Sequence, residues 1–277
     1  MIRLGPYAAL GWRFVVETRR GVLADQVERV LASLRASGSG AEHTYVLLPP
    51  DGGSGELIVD GKRLVASQHE WTLYARLLWH LNVQVVQHTT DHVLLHASAA
   101  SQGAQAVIMA APMESGKTTL VAGLIQAGLD YLTDEATAIN PETGTITPFP
   151  KALSIEVGSW DVLADLRPTV PSEATHLQAT QWQVDPRTIR PRALGAAGSR
   201  PHVVIFPRYA PRTPTRLEPV SPGRGLITLL QCTFELRRQR ERDMRLLAAV
   251  VEEAACYELS MHDLPSAVSA VLLTLDA

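Results

Sequence analysis

The run Ala111-Pro-Met-Glu-Ser-Gly-Lys-Thr-Thr119 constrains this chain more than any other stretch. An apolar segment, Ala106 to Ala110, reads as a strand before it, and Lys117 to Ala127 reads as a helix ended by Gly128. A strand, a tight turn and a helix that opens on Lys-Thr fit the phosphate-loop pattern G-x-x-x-x-G-K-[ST], with Ala111 in place of the first glycine. Such a turn aims successive backbone N–H groups at phosphate oxygens, and the helix N-terminus adds partial positive charge. Glycine at Gly116 lets the backbone come close. The pattern assigns Ser115, Gly116, Lys117, Thr118 and Thr119 to phosphate binding. Lys117 is placed for the β- and γ-phosphates and the Thr118 hydroxyl for Mg²⁺. Two residues depart from the ideal. Ala111 lacks the freedom of glycine, and Glu114 puts a carboxylate in a loop built for anions, where it either points to solvent or weakens nucleotide binding.

The flanks extend the pattern. Val93 to Ala100 reads as a strand before the loop and Tyr131 to Ile139 as another after the helix. This is a βαβ arrangement, which predicts an α/β sheet with its ligand at the strand ends. Asp134 and Glu135 fall at the end of the later strand. Adjacent acids there can divide two tasks, one organising metal and the other accepting a hydroxyl proton. The alternative is a solvated turn. His96 lies in Leu-Leu-His-Ala on the strand leading to the loop, where a lone histidine is commonly a core residue.

Residues 1–90 read as a small α+β appendage to a core spanning 91–277 with C-terminal helices. In the appendage, Gly11 to Thr18, Tyr45 to Leu48 and Glu56 to Val65 read as strands, the last with a hairpin turn at Asp60-Gly61. Helical spacing recurs over Val22 to Leu34 and over Trp71 to Val85. Thr169 to Ser199, rich in Pro, Arg and Thr, reads as a long surface loop. Leu226 to Leu236, Asp243 to Ala255 and Ala267 to Leu275 read as helices, and Cys256 to Met261 as a strand.

With 277 residues, 46% of them hydrophobic and 19% charged, the chain can bury a large core, which excludes wholesale disorder. The net charge of −3 argues against a generally basic nucleic-acid binder. That total hides a basic arm, because Arg187 to Arg245 holds 13 Arg against four acids. The arm suits ATP phosphates, an acidic peptide, or simply a solvated surface, and no base-reading or stacking motif accompanies it. Its run Arg237 to Arg242 reads as an exposed helix face or loop. Cys232 and Cys256 read as core residues in a reducing, cytoplasmic compartment. No stretch reads as a targeting segment or a membrane span.

Leu94-Leu-His-Ala, then the Lys117 loop, then Tyr131-Leu-Thr-Asp-Glu135, resemble HPr kinase/phosphorylase and its shorter relatives, among them kinases encoded beside ribosomally made peptides such as lasso peptides. Pro148-Phe-Pro-Lys-Ala-Leu-Ser154 and Val204-Ile-Phe-Pro-Arg-Tyr209 look like segments of those relatives, and the likeness spans roughly residues 92–235. The resemblance implies an ATP- and Mg²⁺-dependent kinase with a P-loop α/β core of HPr kinase type. It would transfer the γ-phosphoryl group to a serine hydroxyl of a peptide or small protein. It implies that His96 supports Asp134, that Asp134 deprotonates the acceptor, and that Glu135, where the family has Asp, reaches Mg²⁺. Glu156 is the nearest match for a further metal-binding carboxylate, with an exposed strand acid as the other reading. Lys151 and Arg208 lie in matching segments, one expected on phosphate and the other on the acceptor or strand ends, unless each is a surface charge. A small-molecule hydroxyl kinase and a non-catalytic nucleotide- or peptide-binding module remain open, as does an oligomer. A nucleotide switch would need a motif such as NKxD, and none of Lys62, Lys117 and Lys151 lies in one.

Overall fold

The computed structural model describes residues 1–38, 40–234 and 240–275. The first 90 residues build one sheet and two helices: β1 (Ile2–Ala9), β2 (Trp12–Thr18), α1 (Gly21–Leu31), β3 (His43–Leu48), β4 (Gly55–Val59), β5 (Lys62–Ser67) and α2 (Glu70–His88). The strands pair in chain order, with only β2 and β3 parallel. The β4–β5 turn falls at Asp60-Gly61, both at positive φ, as the sequence predicts for a hairpin. Strand β1 was hidden from pattern reading because Gly5-Pro6 interrupts it at a shift in register.

The second part begins with β6 (Val93–Leu95) and β7 (Ala97–Gln102), a single predicted strand that is broken at His96. There follow β8 (Gln105–Ala110), α3 (Lys117–Gln126), β9 (Asp130–Thr133), β10 (Thr137–Ile139), β11 (Ile146–Thr147) and β12 (Leu153–Glu156). Then come β13 (Gln181–Val184), α4 (Pro186–Ile189), β14 (Arg200–Tyr209), β15 (Arg216–Pro219), α5 (Pro222–Gln231), α6 (Arg240–Glu253), β16 (Ala255–Met261) and α7 (Leu264–Leu273). The main sheet has the order β15-β16-β14-β8-β7-β9. Strands β8, β14 and β16 are parallel, while β7 lies antiparallel between β8 and β9. The crossover β8–α3–β9 therefore skips one strand, whose place β7 takes. The chain is thus of the mixed α/β class.

Alternation along β8 shows how the main sheet is covered. Val107 and Met109 face a core shared with α3 and α7, while Ala106, Ile108 and Ala110 face one shared with α5 and α6. Gly123 lets α3 lie close to α7, since a Cβ there would meet Leu264 and Val268 at 2.8 Å. Cys232 and Cys256 are both buried free thiols in the second core, and burial pushes both up in pKa.

Two sequence expectations are corrected. Thr169 to Ser199 is no long surface loop: Ala174, Leu177, Trp182 and Val184 are buried, and β13 pairs with β12. Pro and Thr mask this strand, yet Gln-Trp-Gln-Val alternates with period two. The helix expected to reach Leu236 ends at Gln231, and Thr233 instead bridges Leu95. Residues 235–239, which hold the first half of the Arg-rich run, lie outside the described residues. No described helix is long and apolar enough to cross a membrane.

The core of the first 90 residues is not closed upon itself. Ala136, Phe149, Ala152, Ala174 and Leu177 complete it, and the Ala152 amide donates to the Val30 carbonyl at 3.1 Å. Phe149 is 2% exposed. Phe149→Ala should therefore lower stability by about 3–5 kcal/mol, as emptying a buried aromatic site does. Urea unfolding would show it, and a loss under about 1 kcal/mol would mean that the two parts do not share that core.

Candidate active site

The turn after β8 lies at the C-terminal edge of the three parallel strands, where α/β sheets hold ligands. Ala111 is buried and does not adopt positive φ, so a Cβ is tolerated at the first loop position. The left-handed positions are Glu114 (φ 63°) and Gly116 (φ 90°). Gly116 is favoured by its positive φ, and a Cβ there would also push the Met261 methyl, 2.7 Å away, aside. Glu114, at a backbone conformation that side chains rarely adopt, is exposed. Lys117 opens α3, is buried, and donates to the carbonyls of Ala111 and Pro112, both at 2.7 Å. Burial lowers its pKa against the opposing pull of nearby anionic groups. The Ser115 hydroxyl is buried without a hydrogen-bond partner. Thr119 pairs with Ser159 at 2.6 Å.

The loop borders a cleft of about 480 Å³. Asp134, Glu135, Lys151, Ser154, Glu156, Gln181 and Gln183 line the same cleft. The segment after β11 holds them together. Phe149 N–H donates to the Leu132 carbonyl at 3.0 Å, and Ser154 N–H donates to Asp134 Oδ2 at 3.0 Å. The Tyr131 hydroxyl lies 3.0 Å from Asp134 Oδ1 and 3.0 Å from the Lys151 carbonyl oxygen. Lys151 Nζ donates to Ser154 Oγ at 3.2 Å and sits 3.7 Å from Asp134 and 3.5 Å from Glu135. Ser154 Oγ in turn donates to Gln183 Oε1 at 3.2 Å.

These contacts separate the two acids. Both oxygens of Asp134 are engaged and its side chain is 2% exposed. The Glu135 side chain is 31% exposed and faces the cleft. Burial pushes the Glu135 carboxyl above its usual range against the pull of Lys151, and the Asp134 charge adds to the rise. Burial alone would drive the Lys151 ammonium down, yet Asp134 and Glu135 outweigh it and hold it above the ordinary lysine range. Burial next to Asp134 raises the Tyr131 phenol.

The remaining predicted residues fall as follows. His96 lines the cleft, but the described partners of Asp134 are Tyr131, Ser154 and Lys151. His96 sits instead where β6 gives way to β7, with its ring 5.5 Å from Phe234. Burial and the Lys117 charge lower its pKa. Thr118 lines the cleft, and Glu156 is exposed at its rim. Arg208 lies outside the cleft lining, near the end of β14, where it donates to Ser260 Oγ at 3.2 Å. Five of the arm's described arginines pair with acids, Arg187 with Asp185, Arg190 with Asp130, Arg224 with Glu258, Arg242 with Asp243 and Arg245 with Glu241. Pattern reading missed Tyr131, Ser154, Gln181 and Gln183 as site residues. It also missed a wall contributed by α1 and α2. In comparison with known proteins, no family model and no curated protein matches the chain.

Lys151 carries the only described cation placed between the two acids, and it is buried with Asp134. Lys151→Met should cost about 3–5 kcal/mol, because it leaves an uncompensated buried carboxylate. Adding Asp134→Asn to Lys151→Met should recover part of that loss in the same denaturant titration. Full additivity of the two changes would refute the coupling.

Proposed function

We propose that the chain is an ATP- and Mg²⁺-dependent kinase that phosphorylates a hydroxyl, with a serine of a peptide or small protein as acceptor. The observation that carries this reading is the loop itself: a left-handed Gly116, a buried and unpartnered Ser115 hydroxyl, and Lys117 at the start of α3, all facing one cleft with two carboxylates. An orphaned buried hydroxyl in such a loop fits a phosphate oxygen as its missing partner. The resemblance of residues 92–235 to HPr kinase relatives points to the same chemistry.

In this reading the loop amides, Ser115 and Lys117 hold the phosphates, and Lys117 exchanges its loop carbonyls for phosphate oxygens. Thr118 and Glu156 are the oxygen donors along the cleft that would hold Mg²⁺ with the phosphates. Bound Mg²⁺ supplies charge neutralisation at the transferring group. The geometry favours dividing the acids differently from the family's pattern. Glu135 faces the cleft and has a raised carboxyl pKa, which suits a general base. Asp134 acts through Lys151 as an anchor. Glu135 takes the acceptor proton as the acceptor oxygen bonds to phosphorus and the bridging oxygen leaves with ADP.

Glu135→Gln should abolish transfer while Mg-ATP still binds. Calorimetry reads the binding, and mass spectrometry of peptides encoded nearby reads a gain of about 80 Da, one phosphate replacing a proton. Normal transfer by this variant would remove Glu135 from the base role.

Glu114 places an exposed charge and a left-handed backbone in the loop, and in this reading both work against the bound nucleotide. Glu114→Gly relieves both features at once. It should tighten Mg-ATP binding several-fold in calorimetry, as removal of one like charge near an anion does. Unchanged or weaker binding would show that Glu114 does not oppose the nucleotide.

A further inference from the structure

The cleft has two chemically different walls. The loop, the acids, Lys151 and the glutamines make one of them polar. The other comes from the first 90 residues, where Ala75, Leu78, Trp79 and Asn82 recur at helical spacing along one face of α2. Trp79 is 54% exposed, and Met113, on the loop and lining the same cleft, is 76% exposed. Behind them the cleft reaches Phe14, Leu34 and Phe149 of the shared core.

We propose that this α2 wall, with Met113, is an acceptor subsite that takes a bulky apolar side chain next to the hydroxyl-bearing residue of a peptide. The inference rests on the kinase reading and names its substrate class. Strand order assigns the wall to the acceptor. In the main sheet, β7 and β9 lie on one side of β8, and β14 and β16 on the other. The acids follow β9, and the cleft lies on that flank, lined by residues of β12 and β13. An acceptor must reach the acids, so it enters on this flank. The opposite flank, where Met261 packs on Gly116 and Arg208 lies near the end of β14, is left for the nucleoside. Exposed Trp and Met at the mouth of a polar site gain by covering apolar surface, and Asn82 among them offers a donor and an acceptor to a peptide backbone.

The test uses the full chain, Mg-ATP, and serine peptide libraries with one neighbouring position fixed at a time. Wild type should phosphorylate libraries with Leu, Phe or Trp beside the serine about tenfold faster than those with Asp, Lys or Gly, the scale of one apolar pocket contact. Trp79→Ala should erase that preference and keep the slower rate on the Gly library. Trp79→Phe should retain most of the preference. Mg-ATP affinity should be the same in all three proteins. A preference that survives Trp79→Ala, or no preference in wild type, overturns the subsite while the kinase reading stands. Weaker Mg-ATP binding in Trp79→Ala overturns it in favour of a nucleoside wall. If wild type binds Mg-ATP but phosphorylates no library, the peptide acceptor and the subsite fall together. If wild type binds no Mg-ATP, the kinase reading itself fails and takes the subsite with it.

Discussion

A lysine ammonium buried between two carboxylates organises this molecule. Lys151 persists as a cation out of water only because Asp134 and Glu135 offset its desolvation. Asp134 is fixed in turn by the Tyr131 hydroxyl and the Ser154 amide. The same few residues stitch three elements together. Phe149 bonds back to Leu132 in β9, Ser154 lies in β12, and its hydroxyl reaches Gln183 in β13. The next residue after Lys151, Ala152, is tied to Val30 in α1. The charged network therefore fixes the part of the cleft that carries the acids and also the seat of the N-terminal sheet.

This arrangement explains why one acid is free and one is not. Two adjacent carboxylates in a buried site repel each other, and a single interior cation cannot satisfy both equally. Asp134 takes the hydrogen bonds, so Glu135 keeps a raised carboxyl and an open face toward the cleft. On the loop side the positive charge is also sequestered, since Lys117 is bonded to two loop carbonyls. Both cations are held by the protein's own oxygens, Lys117 by two loop carbonyls and Lys151 mainly by the side chains of Asp134, Glu135 and Ser154.

Much of the fold could be read from the sequence where a local pattern had one physical cause. The strand, turn and helix around Gly116 were legible because an apolar run, a glycine and a helix ended by Gly128 follow one another at short spacing. The Asp60-Gly61 hairpin and the α2 stripe were legible for similar reasons. What escaped was decided by tertiary contact. His96 was expected beside Asp134, but the strand breaks at that residue and Tyr131, Ser154 and Lys151 occupy the acid instead. Strand β13 escaped because Pro and Thr surround it, although it delivers Gln181 and Gln183 to the cleft. The charge excess from Arg187 to Arg245 was real in the sequence. Its strength as a surface field was not legible, because partners such as Asp130 and Glu258 come from distant parts of the chain.

Among the described residues, the five-stranded sheet of the first 90 residues shares no strand with the other sheets. The packing does not follow that separation. Ala136, Phe149 and Ala152 belong to the N-terminal core; Ala136 directly follows the acids, and Phe149 and Ala152 flank Lys151 in sequence. An unfilled core on the N-terminal side would move the segment that carries Lys151, and moving Lys151 would release Asp134. Stability of the first sheet and geometry of the cleft are thus one problem. A chain with this constraint cannot exchange its N-terminal half freely, because that half supplies both the packing behind the acids and the apolar face in front of them.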